Sequence, residues 1–298
     1  MFIIEKKNIF FGLSGLLVVA SIVAMFVWGF NFGIDFTGGS LTEVSYGQNQ
    51  RPELNAVKEA VDGIGITGYS IRPVSTDGYV IRTKQIDDTK KQELVSAITL
   101  GADSITVDRF NSVGPVAGQE LRNKSYMAIG VVIFAILLFI IFAFRKVSEP
   151  VPSWKYGMAT LTALLHDVIV PTGIFVVLGH FVGIEIDLLF VAALLSIMGY
   201  SVHDTIVVFD RVRENLMHNK ETRSKEGFPE TVGRGLVDTM GRSINTSLTT
   251  IIVLITLYLF GGEATANFSL ILLIGMIAGT YSSIFLASPL LVLFAKKA

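Results

Sequence analysis

The sequence predicts a polytopic α-helical membrane protein: six transmembrane helices, with one small α+β domain between the first and the second. Three observations carry this expectation. Of the 298 residues, 51% are hydrophobic and only 16% are charged, where a soluble chain carries about a quarter charged. The apolar residues gather into six runs, each near the roughly 20 residues that a helix needs to cross a bilayer. The stretch after the first run is different, with short β-rich segments separated by turn residues and two amphipathic helical patterns. The balance of 24 basic against 25 acidic residues gives a net charge of −1 and no basic field for a nucleic-acid partner. With no cysteine, disulfides, zinc-thiolate sites, iron–sulfur clusters and thiol catalysis are all excluded.

The predicted spans are Ile9–Phe30, Ser125–Phe144, Tyr156–Val182, Leu188–Phe209, Ser243–Phe260 and Phe268–Phe294. Lys6-Lys7 ahead of the first run gives it the look of a signal peptide, but the run is longer than a typical signal core. No Ala-x-Ala cleavage pattern follows it, so it reads as a retained span. Pro171, Gly199, Gly275 and Pro289 lie inside spans, where neighbouring helices and local adjustments re-satisfy the backbone. The chain thus divides into a first span over 1–30, a domain over 31–123 and a five-span remainder over 124–298.

Orientation follows from the cations in short loops. With the N-terminus in the cytosol, the inner segments hold Lys6, Lys7, Arg145, Lys146, Lys155, Arg211, Arg213, Lys220, Arg223, Lys225, Arg234, Lys296 and Lys297. The two short outer loops hold Glu185, Asp187 and Glu263 and no Lys or Arg. Both termini are therefore expected in the cytoplasm and residues 31–123 outside. Within that outer segment Leu41–Tyr46, Tyr69–Val74, Tyr79–Thr83 and Ile105–Phe110 read as strands, with Thr76-Asp77-Gly78 as a turn between the middle two. Pro52 opens a helix with Leu54, Val57, Val61 and Ile64 on one face, and Asp87-Asp88 caps a second carrying Leu94, Val95 and Ile98. The order β-α-β-β-α-β is the ferredoxin-like pattern.

An ionisable side chain at mid-membrane costs roughly 2.5–3.5 kcal/mol on insertion scales, so it is a functional candidate by default. Asp167, preceded by His166, falls near the middle of the third span. Asp204, preceded by His203, lies in the fourth, where Ser196, Gly199, Tyr200, His203 and Val207 share a small, polar helical face. Such a face packs on another helix or lines a wet cavity. Arg242, with Asn245, Thr246 and Thr249, opens the fifth span. An acid in apolar surroundings favours its neutral form and an approaching arginine the charged one. If Asp204 and Arg242 separate and re-pair, protonation becomes a conformational switch. The other reading makes the acids static interhelical hydrogen-bond partners, worth roughly 0.6 kcal/mol each, with Arg242 snorkelling to the interface to fix topology. A metal hydrolase needs three or four convergent ligands, and four histidines without a His-Glu-x-x-His helix do not suggest one. No enzyme activity, metal or organic cofactor is expected. The glycines form neither a phosphate loop nor a dinucleotide fingerprint.

Two stretches are more specific. After the first span the chain reads Asn31-Phe32-Gly33-Ile34-Asp35-Phe36-Thr37-Gly38-Gly39, and at the end of the fourth it runs Gly199-Tyr200-Ser201-Val202-His203-Asp204-Thr205 through Phe209-Asp210-Arg211-Val212-Arg213-Glu214-Asn215. Both resemble the signatures of the SecF family, membrane subunits of the SecD–SecF accessory complex of bacterial protein export. Arg242-Ser243-Ile244-Asn245-Thr246-Ser247-Leu248-Thr249 and His166-Asp167 resemble it too. The resemblance runs from the first span to the last. It implies kinship with the proton-driven RND transporters and action with SecD beside SecYEG in the bacterial cytoplasmic membrane. There the protonmotive force helps draw an unfolded translocating polypeptide outward. It also implies Asp204 as the proton-relay acid and Arg242 as its fifth-span partner. His203 stands where the family more often has Asn, and an imidazole there can join the relay or tune it. Gly33, Asp35, Gly38 and Gly39 read mechanically, as a tight change of direction where span gives way to strand. Asp35 there either caps a turn or marks a proton exit. The alternative function is a stand-alone RND-like exporter of a small molecule or lipid, against which a single outer domain of about 90 residues offers little room for a substrate porter.

Overall fold

The computed structural model describes residues 2–47, 50–145 and 151–295; Lys146, Lys296 and Lys297 of the orientation argument lie outside the described residues. Two compact units emerge, one of Met1–Asn31 with Met127–Ala298 and one of Phe32–Tyr126.

The first unit is a helical bundle. A short α1 (Phe2–Glu5) precedes α2 (Lys7–Trp28); α6 (Pro115–Ala143) begins in the second unit and continues into the first from Met127, followed by α7 (Ser153–Phe181), α8 (Leu188–Glu221) and α9 (Phe228–Phe260). The sixth apolar segment is composite: α10 (Glu263–Ser282), a π-helical turn (Ser283–Ala287) and α11 (Ser288–Phe294). Six helical segments are thus long and apolar enough to cross a membrane. Three of them outrun the expected spans, since α6 begins at Pro115, α8 continues to Glu221 and α9 already starts at Phe228. The apolar pattern marks where a helix leaves the hydrocarbon, whereas backbone hydrogen bonds carry it on. Beyond Phe209 the helix is laced by Arg213–Asp210 and Arg211–Glu214 pairs at i, i+3. Pro229 and Glu230 in the first turn of α9 are ordinary helix-start residues.

Small residues set the close crossings, as expected where lipid supplies no hydrophobic drive between helices. A Cβ built on Gly173 of α7 would lie 2.3 Å from Ser21 Cβ of α2, and one on Gly275 of α10 would lie 2.1 Å from Ile197 Cδ1 of α8. Gly279, one turn further, faces Ser201 in the same way at 3.1 Å. Near the α6–α7 junction Tyr156 is buried against Phe144, stacked at 5.0 Å, and Phe209, edge-on at 5.3 Å.

The second unit contains α3 (Ile34–Thr37), β1 (Gly39–Tyr46), α4 (Leu54–Gly63), β2 (Ser70–Val74), β3 (Gly78–Thr83), α5 (Asp88–Ile98) and β4 (Ile105–Val113). Its sheet is antiparallel in the order β2-β3-β1-β4, the ferredoxin-like arrangement that the strand and helix order implied. Asp87 Oδ1 accepts from Lys90 N at 2.8 Å as the cap of α5. Helix α4 starts at Leu54, so Pro52 precedes the helix, and its carbonyl accepts from Tyr79 Oη at 2.7 Å. One sheet face supplies Val44, Tyr46, Tyr79 and Ile81 to a core closed by Val57, Val61, Leu94 and Ile98 of the two helices. β4 runs past Phe110 to Val113, with a bulge opposite Glu43/Val44.

Tyr46 sits in that core and donates to Ile98 O at 2.9 Å. Burial pushes its phenol up to about 12. Because the folded phenol loses its proton later than the unfolded one, the stability it contributes is intact below pH 10 and drains away as pH rises toward 12. Tyr46→Phe is expected to cost about 1 kcal/mol at neutral pH, by leaving the Ile98 carbonyl unmet. It should also flatten the alkaline loss of hydrogen-exchange protection in β1 and α5. A variant whose alkaline profile matches the parent would disprove the assignment.

Candidate functional site

Two buried carboxylates organise the bundle, each held by hydroxyls from neighbouring helices. Asp167, on α7, is fully buried. Its Oδ2 accepts from Ser201 Oγ of α8 at 2.5 Å and from Ser282 Oγ at the end of α10 at 2.6 Å. Its Oδ1 lies 2.8 Å from His166 Nδ1. His166 Nε2, on the other side of the ring, is buried and has no hydrogen-bond partner among the described residues. The ring of His166 stacks on Tyr281 at 5.8 Å, and Tyr281 Oη donates to Phe10 O of α2 at 3.1 Å.

Asp204, on α8, is 6% exposed. Oδ1 accepts from Ser243 Oγ of α9 at 2.5 Å, and Oδ2 is buried with no hydrogen-bond partner among the described residues. One turn along α9, Ser247 joins Tyr200 Oη (3.0 Å) and Thr280 Oγ1 (2.7 Å). Thr205, next to the acid, meets Ser283 Oγ at 2.8 Å. Separate clusters of exchangeable groups therefore tie α7, α8, α9 and α10 together inside an apolar bundle. Chemically these can hold protons on two carboxylates and an imidazole and rearrange hydroxyl donors as they come and go. Among the described residues no three His, Asp or Glu side chains gather as a metal would require.

The other sequence candidates are placed differently. Arg242 and His203 are exposed on the bundle, and among the described residues neither makes a hydrogen bond or ion pair with Asp204. The acid's contact across α9 is the residue after Arg242, because Ser243 points inward on the helix where Arg242 points out. The face of Ser196, Gly199 and His203 is exposed as well, with Tyr200 and Val207 half-buried. That face is largely uncovered among the described residues, touching α9 only at Tyr200; the opposite face, with Ile197, Met198, Ser201, Asp204 and Thr205, is the buried one. Sequence reasoning passed over Ser201, Ser243 and Ser282. The available signal was three serines, Ser282, Ser283 and Ser288, inside a strongly apolar run, and all three are fully buried.

The glycine signature forms a joint within the second unit. Gly38 and Gly39 have φ of 74° and 124°, and a Cβ on Gly39 would lie 2.6 Å from Thr83 O, one on Gly38 2.8 Å from Pro115 Cα. The residues thus bring β1 against β3 and against the start of α6, where Gly118 also gives way to Gly38 N. Gly33 O accepts from Thr37 Oγ1 at 3.0 Å, and Asp35 lies half-buried in α3. Gly39→Ala is expected to destabilise this unit by about 2 kcal/mol or more, read as lost hydrogen-exchange protection in β1 and β3. Protection equal to the parent's would contradict the joint.

The chain has relatives among known proteins. A family model described as "Protein export membrane protein SecD/SecF, C-terminal" matches residues 94–297, and one described as "SecD/SecF GG Motif" matches residues 23–50. The chain belongs to the SecD/SecF family. Relatives named protein translocase subunit SecF include one from Thermobaculum terrenum, 40% identical over 99% of this chain and 94% of that protein. Another, from Escherichia coli O157:H7, is 37% identical over 94% of this chain and 83% of its own length. The crystal structure of SecDF, a translocon-associated membrane protein from Thermus thermophilus, superposes with a TM-score of 0.82 at 31% identity. That match takes in 98% of this chain but only 38% of the longer SecDF chain. Six apolar helical segments within the SecF family make this a multi-pass membrane protein. Its relatives carry the name of a transport subunit, not of an enzyme.

Proposed function

We propose that this chain is a protonmotive-force-coupled auxiliary subunit of Sec-dependent protein translocation. It works with a SecD-like subunit beside a SecYEG channel to pull and release the exported polypeptide. The observation that carries the reading is Asp204: a carboxylate buried among apolar helices, with one oxygen bonded to Ser243 of α9 and the other unmet among the described residues. An unmet carboxylate oxygen in such surroundings is well placed to take a proton, and protonation changes what its neighbours can donate to. Protons and membrane potential supply the energy, and no organic cofactor is needed.

The partner follows from what the bundle leaves uncovered. His203, Arg242, Asn245, Thr246 and Thr249 are exposed on α8 and α9, and lipid is a poor neighbour for such groups. A second helical bundle laid on this face would shield them and would bring its own groups toward Arg242 and His203. The SecDF chain, of which this protein matches 38%, is long enough to hold such a second bundle. By the distribution of cations, both termini lie in the cytoplasm and residues 31–123 lie outside the bacterial inner membrane. The test is proton-gradient-driven export in vesicles carrying Asp204→Asn, together with co-purification of a SecD-like chain. Loss of the gradient-dependent component with the partner retained supports the reading. A variant that exports as the parent does overturns it. Purification as a self-assembled oligomer that extrudes a small solute would favour an independent exporter.

A further inference from the structure

The π turn at Ser283–Ala287 falls where the Asp167 cluster meets the sixth apolar segment. Wide turns of this kind occur mostly as single insertions in α-helices, often at functional positions. A local cause is present here. Pro289 lacks an N–H and its ring crowds the carbonyl of Phe285, so a regular helix could not be continued without loss. The wider turn relieves that crowding, and Ser288 Oγ donates to Ser283 O, five residues back, at 3.0 Å.

The serines around the turn reach across to other helices, as Ser201 and Ser243 do, although Ser282 Oγ also lies 3.1 Å from Gly279 O of its own helix. A serine in an apolar helix satisfies itself by bonding the carbonyl one turn back, as Ser125 does to Leu121 O and Ser196 to Ala192 O. Ser282 bonds across to Asp167 Oδ2, and Ser283 bonds across to Thr205 Oγ1 and Ser201 O. The acid therefore grips the last residue of α10, and α8 grips the first residue of the π turn. On the α10 side the grip is backed by Gly275 and Gly279 against α8, which leaves that half no room to shift. On the α11 side no equivalent glycine contact exists among the described residues.

We propose that the π turn is the movable joint that Asp167 controls, with Ser282 and Ser201 as positioning residues that hold it while the acid is ionised. The proposal rests on the proton-coupling reading above and assigns it a moving part. An ionised Oδ2 accepts both serine hydroxyls; once that oxygen carries a proton it is itself a donor, and one serine must turn away. Release at Ser282 frees the turn to tighten and lose its extra residue, which draws in and rotates α11 by about 1.5 Å and 100° at the cost of a kink at Pro289. The titratable groups that meet this cluster are His166 on α7 and Tyr281 on α10. From α8 come only the hydroxyls of Ser201 and Thr205, and from the turn that of Ser283.

The chain has no cysteine, so a single reporter such as Val292→Cys in α11 is unique to it. The full chain with its partner subunit is labelled with a membrane-permeant maleimide in vesicles, at acid and alkaline pH. Because maleimide attacks the thiolate, each rate is taken relative to that of a simple cysteine peptide at the same pH, and the expected result is a relative rate that differs at least threefold between the two. In Asp167→Asn, which cannot ionise, the rate should stay at the acid value throughout. Ser282→Ala should move the pH midpoint, and Ser282→Thr, which keeps the hydroxyl, should restore it. A parent rate independent of pH, or a pH response surviving intact in Asp167→Asn, overturns the joint. Gradient-driven export measured on the same vesicles then separates the two failures. If export still depends on the gradient, only the joint falls; if it does not, the coupling reading falls with it.

Discussion

Replacing Asp204 by Asn is expected to remove the gradient-dependent part of export while leaving the bundle folded. The two side chains have nearly the same shape, and the Asn carbonyl can still accept from Ser243 Oγ where Oδ1 now does at 2.5 Å. What is lost is the choice between charged and neutral forms. One charge moving through 100 mV is worth roughly 2.3 kcal/mol, which in a rate-limiting step corresponds to about fiftyfold. The variant should therefore run near the parent's gradient-free rate, with or without a gradient. Ser243→Ala is a graded comparison, because it strips the acid of the hydroxyl that donates to Oδ1 yet leaves it ionisable. It should shift the pH at which coupling is half-maximal and leave the maximum largely in place. Stimulation in Asp204→Asn equal to the parent's, with the partner bound, would remove this acid from the relay.

The largest structural effect is expected at Gly173. Its missing side chain lets α7 touch α2, with a built Cβ 2.3 Å from Ser21 Cβ and 2.5 Å from Ser21 Cα. The second distance is to backbone, which no rotamer change relieves. Gly173→Val should push the helices apart and cost about 3 kcal/mol, the upper part of the overpacking range. The readouts are a lower melting temperature in detergent and faster proteolysis. Gly173→Ala should do less, and Ser21→Gly should recover only part of the loss, since the clash with the α2 backbone stays. Gly130 of α6 is the control: nothing lies within 4 Å of its Cβ position, and Gly130→Ala should be neutral or slightly stabilising. Equal melting of the Gly173 and Gly130 variants would refute the close crossing.

Features written as long-range composition were readable from sequence. Six apolar runs and strands rich in Val, Ile and Tyr show in composition alone, and Asp87 announces α5 by its capping chemistry. His166-Asp167 and Asp204 stood out because charge in an apolar run is anomalous at the level of single residues. Their partners did not stand out. Serine in a membrane helix is chemically ambiguous, able to satisfy itself on its own backbone or to reach across, and only the packing shows that Ser201, Ser243 and Ser282 reach across. For the same reason Arg242 looked like the natural partner of Asp204, while a rotation of one residue along α9 gives that contact to Ser243. The polar extensions of α8 and α9 escaped because hydropathy reports solvent, not backbone continuity.

The length of α8 has a mechanical consequence. The helix that holds Asp204 runs on without a break to Glu221, so the seventeen residues that follow the acid form a rigid arm of about 25 Å. At its far end the arm is strapped to its antiparallel neighbour by Arg211–Asp238 and by Arg234 with Glu226 and Asn219. Two rods braced in this way deflect together. A tilt of about 10° at the carboxylate would carry the tip through roughly 4 Å, so a small adjustment at the proton's seat becomes a stroke large enough for a neighbouring protein to feel.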